Sequence, residues 1–299
     1  MNPRTRSTRE PARERHQAFP HAPTHKAESI ITAPAARRWQ QRTIAIVNRW
    51  YDRRMYDPLA EERFAGSDFF NNGYWLPDTR TQKEACENLM QMLLAFIPQK
   101  TGTILDVACG LGGTTRFLLR DYPHESVIGI NISLKQLRNC VLNAPGCRFV
   151  EMSATEMGFG NSSFDNMICV EAAFHFVTRE KFLKEAYRVL KPGGRLALSD
   201  IIAAKPLNAL IGRLPSYRAI HPKEYRDLYF RAGFERVEIA DASHECISGF
   251  YRHSLRLLRD KLRRSEIDSM TFRQRRAQIL RRERNGRYYL LVCAQKAAS

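Results

Sequence analysis

The stretch "ILDVACGLGGTT", residues 104–115, decides the fold. Its first part has the branched apolar side chains of a buried strand and its last part suits a helix start, with only a glycine turn between them. Gly110, Gly112 and Gly113 lack the Cβ that would hold a ligand away from the backbone. The first turn of the following helix also leaves its N–H groups unbonded. A small ligand is therefore expected over the carboxyl end of this strand, beside Asp106. The turn alone does not say which ligand, because the G-x-G-x-x-G loop of dinucleotide-binding proteins looks much the same.

Downstream, branched apolar runs alternate with helical patterns. Strands are expected at 103–107, 126–131, 147–152, 164–171 and 195–202, with helices at 113–121, 133–143 and 178–190 between them. Pro and Gly in "KPGG", residues 191–194, should stop the last of these helices. Such alternation builds a parallel, doubly wound α/β sheet with right-handed crossovers. Two more strands, near 235–240 and 288–294, follow the helix in "KEYRDLYFRAGF", residues 223–234. Upstream, a helix starts at Arg37 with Trp39, Ile44, Val47 and Tyr51 near one face, and a second spans about Gln82 to Ile97.

With 299 residues, 43% of them hydrophobic, the chain can bury a large core. Its net charge of +17 is unevenly spread. Residues 1–54 hold 12 Lys+Arg against 4 Asp+Glu, residues 251–287 hold 13 against 4, and the remainder balances at 23 against 23. Such basicity raises nucleic acid as a partner, but the central α/β part is neutral. Residues 1–36, rich in Pro, Arg and Thr, read as a disordered basic tail. No apolar run approaches the roughly 20 residues of a membrane span, and the start lacks the apolar region of a secretory signal. The seven cysteines are odd in number and scattered, which fits reduced, mostly buried thiols in a cytoplasmic protein. There is no Cys/His spacing or clustered His/Asp/Glu set, so no metal site is expected.

After "LDVACGLGG" (105–113) come, in order, "VIGINIS" (127–133), "SATEMGFGNSSFDNMICVEAAFHF" (153–176), "VLKPGGRLALSD" (189–200) and "AGFERVEIADAS" (232–243). Over roughly residues 45–299 this set resembles the class I S-adenosylmethionine-dependent methyltransferases. Within that class the chain is most similar to small-molecule methyltransferases of natural-product, sterol and quinone pathways. "NNGYW" (71–75) and "GINIS" (129–133) resemble the natural-product O-methyltransferases. The resemblance implies a Rossmann-like, mostly parallel seven-stranded sheet with an antiparallel last strand and helical lid insertions. It also implies one domain over 37–299, with a helical cover at 37–100 and a cofactor-binding core at 101–202.

The cofactor so implied is S-adenosyl-L-methionine. Asp106, Ala108, Gly110 and Gly112 match the positions that hold its methionine part, and Tyr51 and Asp52 with Gly73 to Trp75 match the cover. Asn131, beside Ile132, stands where the wider class carries an acidic ribose clamp, and Gln136 a turn later shares that contact. Asn131 can hydrogen-bond a ribose without the charge assistance of a carboxylate. Ser153 and Ala154 occupy the adenine edge, Ser153 replacing a common Asp. Glu171 closes the fourth strand, where it could touch the cofactor or act as a base.

Methyl transfer from a sulfonium is a direct displacement, so the enzyme mainly aligns the nucleophile and, for a hydroxyl, removes its proton. In the O-methyltransferases that the chain resembles, a His after the fourth strand and an Asp ending the fifth do this. Here these are His175 as general base and Asp200 as its orienting partner. The alternative is an inert histidine buried by Phe174 and Phe176. Those two rings and Tyr217 are candidate cavity walls, and insertions at 203–221 and 242–286 are candidate substrate lids. The second insertion includes "YRHSLRLLRDKLRR" (251–264), with Leu255, Leu258 and Leu262 along one face. Its basic side is either a solvated face or a contact for an acidic partner, such as an anionic substrate or a carrier protein with a tethered acyl chain.

The expected activity is methylation of a hydroxyl on a small secondary metabolite. Carbon or nitrogen methylation of an isoprenoid, quinone or amine is the alternative. RNA methylation is less favoured, since no N/D-P-P-aromatic motif follows the fourth strand and no Pro-Cys nucleophile is present. A cofactor-binding protein without catalysis is the remaining class. Nothing in the sequence sets the oligomeric state.

Overall fold

The computed structural model describes residues 35–56, 64, 67–203 and 222–298. The expected tail lies almost wholly outside them, as do the 203–221 insertion apart from its first residue and the whole of Tyr217. Strand β1 (Ile104–Val107) is buried along its whole length, as a central parallel strand covered on both faces must be. It pairs in parallel with β2 (Val127–Asn131) on one side and β4 (Phe164–Val170) on the other. Strand β3 (Arg148–Glu151) adds outside β2, and β5 (Leu190–Ala203) outside β4. Strand β7 (Gly286–Gln295) runs antiparallel between β5 and β6 (Arg236–Asp241). The order is β3-β2-β1-β4-β5-β7-β6, and the chain reverses its direction of travel between β1 and β4, the place where open α/β sheets bind ligands.

The expected Rossmann-like architecture is therefore present, with one difference at "KPGG". The strand starts at Leu190, five residues before the expected position, and runs through Pro192 and Gly193. Pro lacks a ladder N–H, but at the start of a strand that donor is not required. Lys191 ties this extension down through an ion pair to Asp165 at 2.8 Å.

Alternation along the strands splits the core into two layers. Leu105 and Val107 join Phe182, Leu183 and Tyr229 on one face, while Ile104 joins Leu89, Met90 and Leu93 on the other. Helices α1 (Ala35–Arg54) and α2 (Gln82–Ala95) precede the sheet. The second starts with a capping box in which Thr81 and Glu84 satisfy each other's backbone N–H. Helices α3 (Gly113–Leu118), α4 (Leu134–Asn143), α5 (Arg179–Val189) and α6 (Pro222–Ala232) connect the strands. Ser133 and Thr178 cap α4 and α5 through their hydroxyls. The insertion at 242–286 folds as a π-turn (His244–Ser248), α7 (Gly249–Arg263) and α8 (Ser269–Asn285). No helix among the described residues is long and apolar enough to cross a membrane.

Candidate active site

At the carboxyl ends of β1, β2 and β4 lies a cavity of about 1010 Å³, counting its open mouth. The glycine turn forms one side. Ala108 and Gly110 both have positive φ, 59° and 57°, and both line the cavity. A Cβ added to Gly110 would project into open space, with Met55 Cε nearest at 3.8 Å, so bare backbone faces whatever fills the cavity. Gly112 serves a different purpose. Its Cβ would come within 2.9 Å of Cys140 Cα, so its lack of a side chain lets α3 pack against α4.

Asp106 does not reach the cavity. Its parity on β1 is that of Ile104, which turns it under the loop, where Thr114 and Thr115 hydroxyls donate to Oδ2 at 2.7 and 2.6 Å. Burial pushes its carboxyl up to about 6, although both hydroxyls pull it down. It holds the turn against the helix start and acts on any ligand through the backbone it fixes.

Beside the turn, Asn131 ends β2 and Gln136 lies in the first turn of α4. Asn131 Nδ2 donates to Gln136 Oε1 at 3.0 Å and to the Gly110 carbonyl at 3.3 Å. Gln136 Nε2 and the Ser133 hydroxyl both donate to Asp52 Oδ1, which latches α1 onto this edge. Asn48 on the same helix donates to the Ile132 carbonyl at 3.0 Å, while its own Oδ1 is buried without a partner among the described residues. Ser153 and Ala154 complete that end, with Ser153 Oγ bonded to Thr155 Oγ1 at 3.0 Å.

The remaining lining is largely apolar; Asp68 on it is paired with Arg116 at 2.6 Å, and two further titratable groups, His175 and Glu171, follow β4. His175 closes a short 3-10 turn after β4, and its Nε2 hydrogen-bonds the Tyr51 hydroxyl of α1. Burial, aided by the Arg179 charge, lowers the imidazole to about 3, so the ring is neutral at ordinary pH. Glu171 is held at φ 49° by the turn after β4. Its Oε1 accepts from the Asn72 N–H and from the Tyr289 hydroxyl, both at 2.6 Å. Burial raises its carboxyl to about 7, against those two donors, and the Asp200 charge adds to the rise.

Of the site residues expected from sequence, Tyr51, Ala108, Gly110, Asn131, Ile132, Gln136, Ser153, Ala154, Glu171 and His175 converge on this cavity. Asp106 and Gly112 support it from beneath. Asp200 and Trp75 lie elsewhere, and the expected pairing of Asp200 with His175 is corrected. Asp200 is not the partner of His175: Arg179 Nε donates to its Oδ2 at 2.6 Å, Tyr225 to the same atom at 3.0 Å, and the Ile201 N–H to Oδ1 at 2.9 Å. Strand parity is the reason. Leu196, Leu198, Asp200 and Ile202 share one face of β5, the one packed against α5 and α6, so the carboxylate enters the core and needs a buried cation. Trp75 is likewise off the cavity wall. It stacks on His253 of α7 with centroids 4.4 Å apart, and its indole N–H donates to the Asn72 carbonyl at 2.9 Å.

Among the described residues the 242–286 insertion contributes none to the lining, because the buried face of α7 is spent on Trp75 and Phe64. Helix α1 and the segment 68–71 close the cavity instead. Sequence reasoning did not assign Asn48, Met55 or Phe70 to the site, although Ile44, Asn48, Tyr51 and Met55 follow helical spacing and share one face. The Tyr289 hydroxyl, from the last strand, had no sequence signal at all.

A methyltransferase-domain family model matches residues 105–198. The chain is 27% identical over 243 residues to erythromycin 3''-O-methyltransferase of Saccharopolyspora erythraea, covering 73% of this chain and 79% of that protein. It is 40% identical over 101 residues to the 2-methyl-6-phytyl-1,4-hydroquinone methyltransferase of Synechocystis, covering 33% of this chain and 31% of that one. Among solved structures, geranyl diphosphate C-methyltransferase from Streptomyces coelicolor superposes with a TM-score of 0.61 at 14% identity, covering 85% of this chain and 98% of that one, a likeness of fold.

Proposed function

Since the chain is a class I S-adenosylmethionine-dependent methyltransferase related to natural-product O-methyltransferases and to isoprenoid and quinone methyltransferases, we propose that it methylates a hydroxyl of a small secondary metabolite. One observation supports this reading above others. The bare backbone at Gly110, the amides of Asn131 and Gln136, and a largely apolar lining with His175 and Glu171 all belong to one cavity. The donor set fits the cofactor: a backbone cradle open for contact at Gly110, polar amides at the end of β2, and the unpartnered Asn48 Oδ1 on the same wall. S-adenosylmethionine brings a methyl carbon on a positively charged sulfur, open to direct attack by oxygen.

The chain's own residues do the rest. Ala108 and Gly110 hold the methionine part, Asn131 and Gln136 the ribose, and Ser153 and Ala154 the adenine edge. Phe70, Phe176 and Val177 keep water from the acceptor. His175, neutral at ordinary pH, takes the acceptor's proton on the nitrogen that now meets Tyr51. Glu171 is the second candidate base, favoured by a carboxyl that titrates at about 7. Carbon or nitrogen methylation of an isoprenoid, quinone or amine is the second reading, favoured by the 40% identity to the hydroquinone enzyme. The basic surface of α7 and α8 supports an acceptor that is anionic or tethered to an acidic carrier protein.

The test is label transfer. Purified chain with methyl-tritiated S-adenosylmethionine should label a metabolite fraction, on oxygen by product NMR, and neither RNA nor a substrate-free control. Label in RNA, or none anywhere, would defeat the proposal. With the acceptor in hand, His175→Ala and Glu171→Gln identify the base as the residue whose loss flattens the pH–rate profile.

A further inference from the structure

The segment Phe69–Thr79 has a second face. Phe69, Phe70 and Asn71 line the active-site cavity, whereas Trp75, Leu76 and Pro77 form one wall of a separate open groove of about 1220 Å³. The other wall is α7, which presents Arg252, Arg256 and Arg259 to it. Their i, i+4, i+7 spacing sets three guanidinium groups on one stripe roughly 10 Å long.

The groove is a built feature. Gly249 lets α7 lie directly on Trp75, since an added Cβ would stand 2.5 Å from Trp75 Cβ. The Trp75–His253 stack fixes the middle, and the Thr79 hydroxyl, accepting from the Leu76 N–H and Asn88 Nδ2 at 3.0 Å each, fixes the other wall. Among the described residues the three arginines make no ion pair. Arg252 touches His244 at 3.4 Å.

Cations alone attract any polyanion. Here they face an apolar wall that includes Leu76, 44% exposed, and Glu245 lines the same groove. A phosphate backbone would leave that apolar wall uncovered. A helix with carboxylates on one stripe and apolar side chains on the next would pair with the arginines and bury Leu76.

We propose that this groove docks an acidic amphipathic helix of a partner protein, with its carboxylates on Arg252, Arg256 and Arg259 and its apolar stripe on Trp75 and Leu76. This deepens the tethered-acceptor reading, and its test needs no turnover, so either can fail alone.

The probe is a fluorescent helical peptide of about 16 residues with Glu at i, i+4 and i+7 and Leu on the adjacent stripe. The same composition in scrambled order and an oligothymidylate of equal length are the comparisons. The full chain should bind the peptide, and Arg252→Glu/Arg256→Glu should weaken binding by roughly tenfold or more. The neutral pair Arg252→Gln/Arg256→Gln should lose a smaller part, and Leu76→Asp should weaken binding without touching the arginines. Reversing two exposed arginines of α8, Arg273→Glu/Arg276→Glu, should change it by no more than about twofold. Equal loss in the α8 variant, equal binding of the scrambled peptide, tighter binding of oligothymidylate, or no peptide binding would each overturn the proposal.

Discussion

Gly110→Ala and Gly112→Ala, two residues apart in one turn, should fail in opposite ways. Gly112 has φ 91° and ψ 6°, and its new Cβ would sit 2.9 Å from a backbone atom of α4. The left-handed conformation costs a side-chain-bearing residue about 1–2 kcal/mol, and forcing two helices apart adds about 1–3 kcal/mol. The sum, about 2–5 kcal/mol, lowers Tm by roughly 5–15 °C for a domain of this size. Gly110 carries only the conformational cost, about 1–2 kcal/mol, because among the described residues the nearest atom to its new Cβ is Met55 Cε at 3.8 Å. That Cβ instead enters the cavity proposed for the cofactor, and should weaken S-adenosylmethionine binding by roughly tenfold or more. Thermal unfolding and titration calorimetry on both variants read the two quantities separately. A Gly112→Ala protein with unchanged Tm, or a Gly110→Ala protein that binds the cofactor normally, would refute the division of labour between the glycines.

Asp200→Asn leaves Arg179 buried without its counter-charge and should cost about 3–5 kcal/mol, seen as a lower Tm; an unchanged Tm with lost turnover would restore Asp200 to the active site. Trp75→Ala should lower Tm through lost packing on His253, while S-adenosylmethionine affinity in calorimetry stays within about twofold. Glu171 ionises near 4.5 in the unfolded chain and at about 7 in the fold, so its ionisation favours unfolding as pH rises through that window. Glu171→Gln should therefore gain Tm over the parent at pH 8 relative to pH 4.5. The gain is at most about 3 kcal/mol, and less because the side chain is only half-buried; equal differences at both pH values would mean that the carboxyl is not perturbed.

The sheet was legible because every crossover carried its own local signals: branched apolar strands, Ser133 and Thr178 at helix starts, glycines at turns. One side of the cavity was legible for the same reason, since Ala108, Gly110, Asn131 and Ser153 sit at strand ends, and strand ends in a doubly wound sheet point to one place. Directions within the core were harder. "LALSDII" has Leu196, Leu198 and Ile202 at the parity of Asp200, so alternation alone placed the carboxylate on a helix-covered face, and proximity along the sheet was the weaker guide. Trp75 had no such periodicity. It belongs to an irregular connection, and its direction is set by contacts with α7, more than 170 residues later.

The inward direction of Asp200 sets the electrostatics around His175. A free Asp200 beside His175 would have raised the imidazole's affinity for a proton. Instead, burial lowers His175, and the guanidinium of Arg179, which pairs with Asp200, lowers it further. The same burial drives Glu171 up to about 7, which makes its carboxylate the stronger base of the two, yet both groups remain weaker bases than the oxyanion of any ordinary hydroxyl acceptor. A hydroxyl that ionises readily, such as a phenol near pKa 10, asks less of these groups than an alkanol. Turnover across hydroxyl acceptors of matched size should therefore rise with their acidity; a preference for the least acidic hydroxyl would require a stronger base than His175 and Glu171 provide.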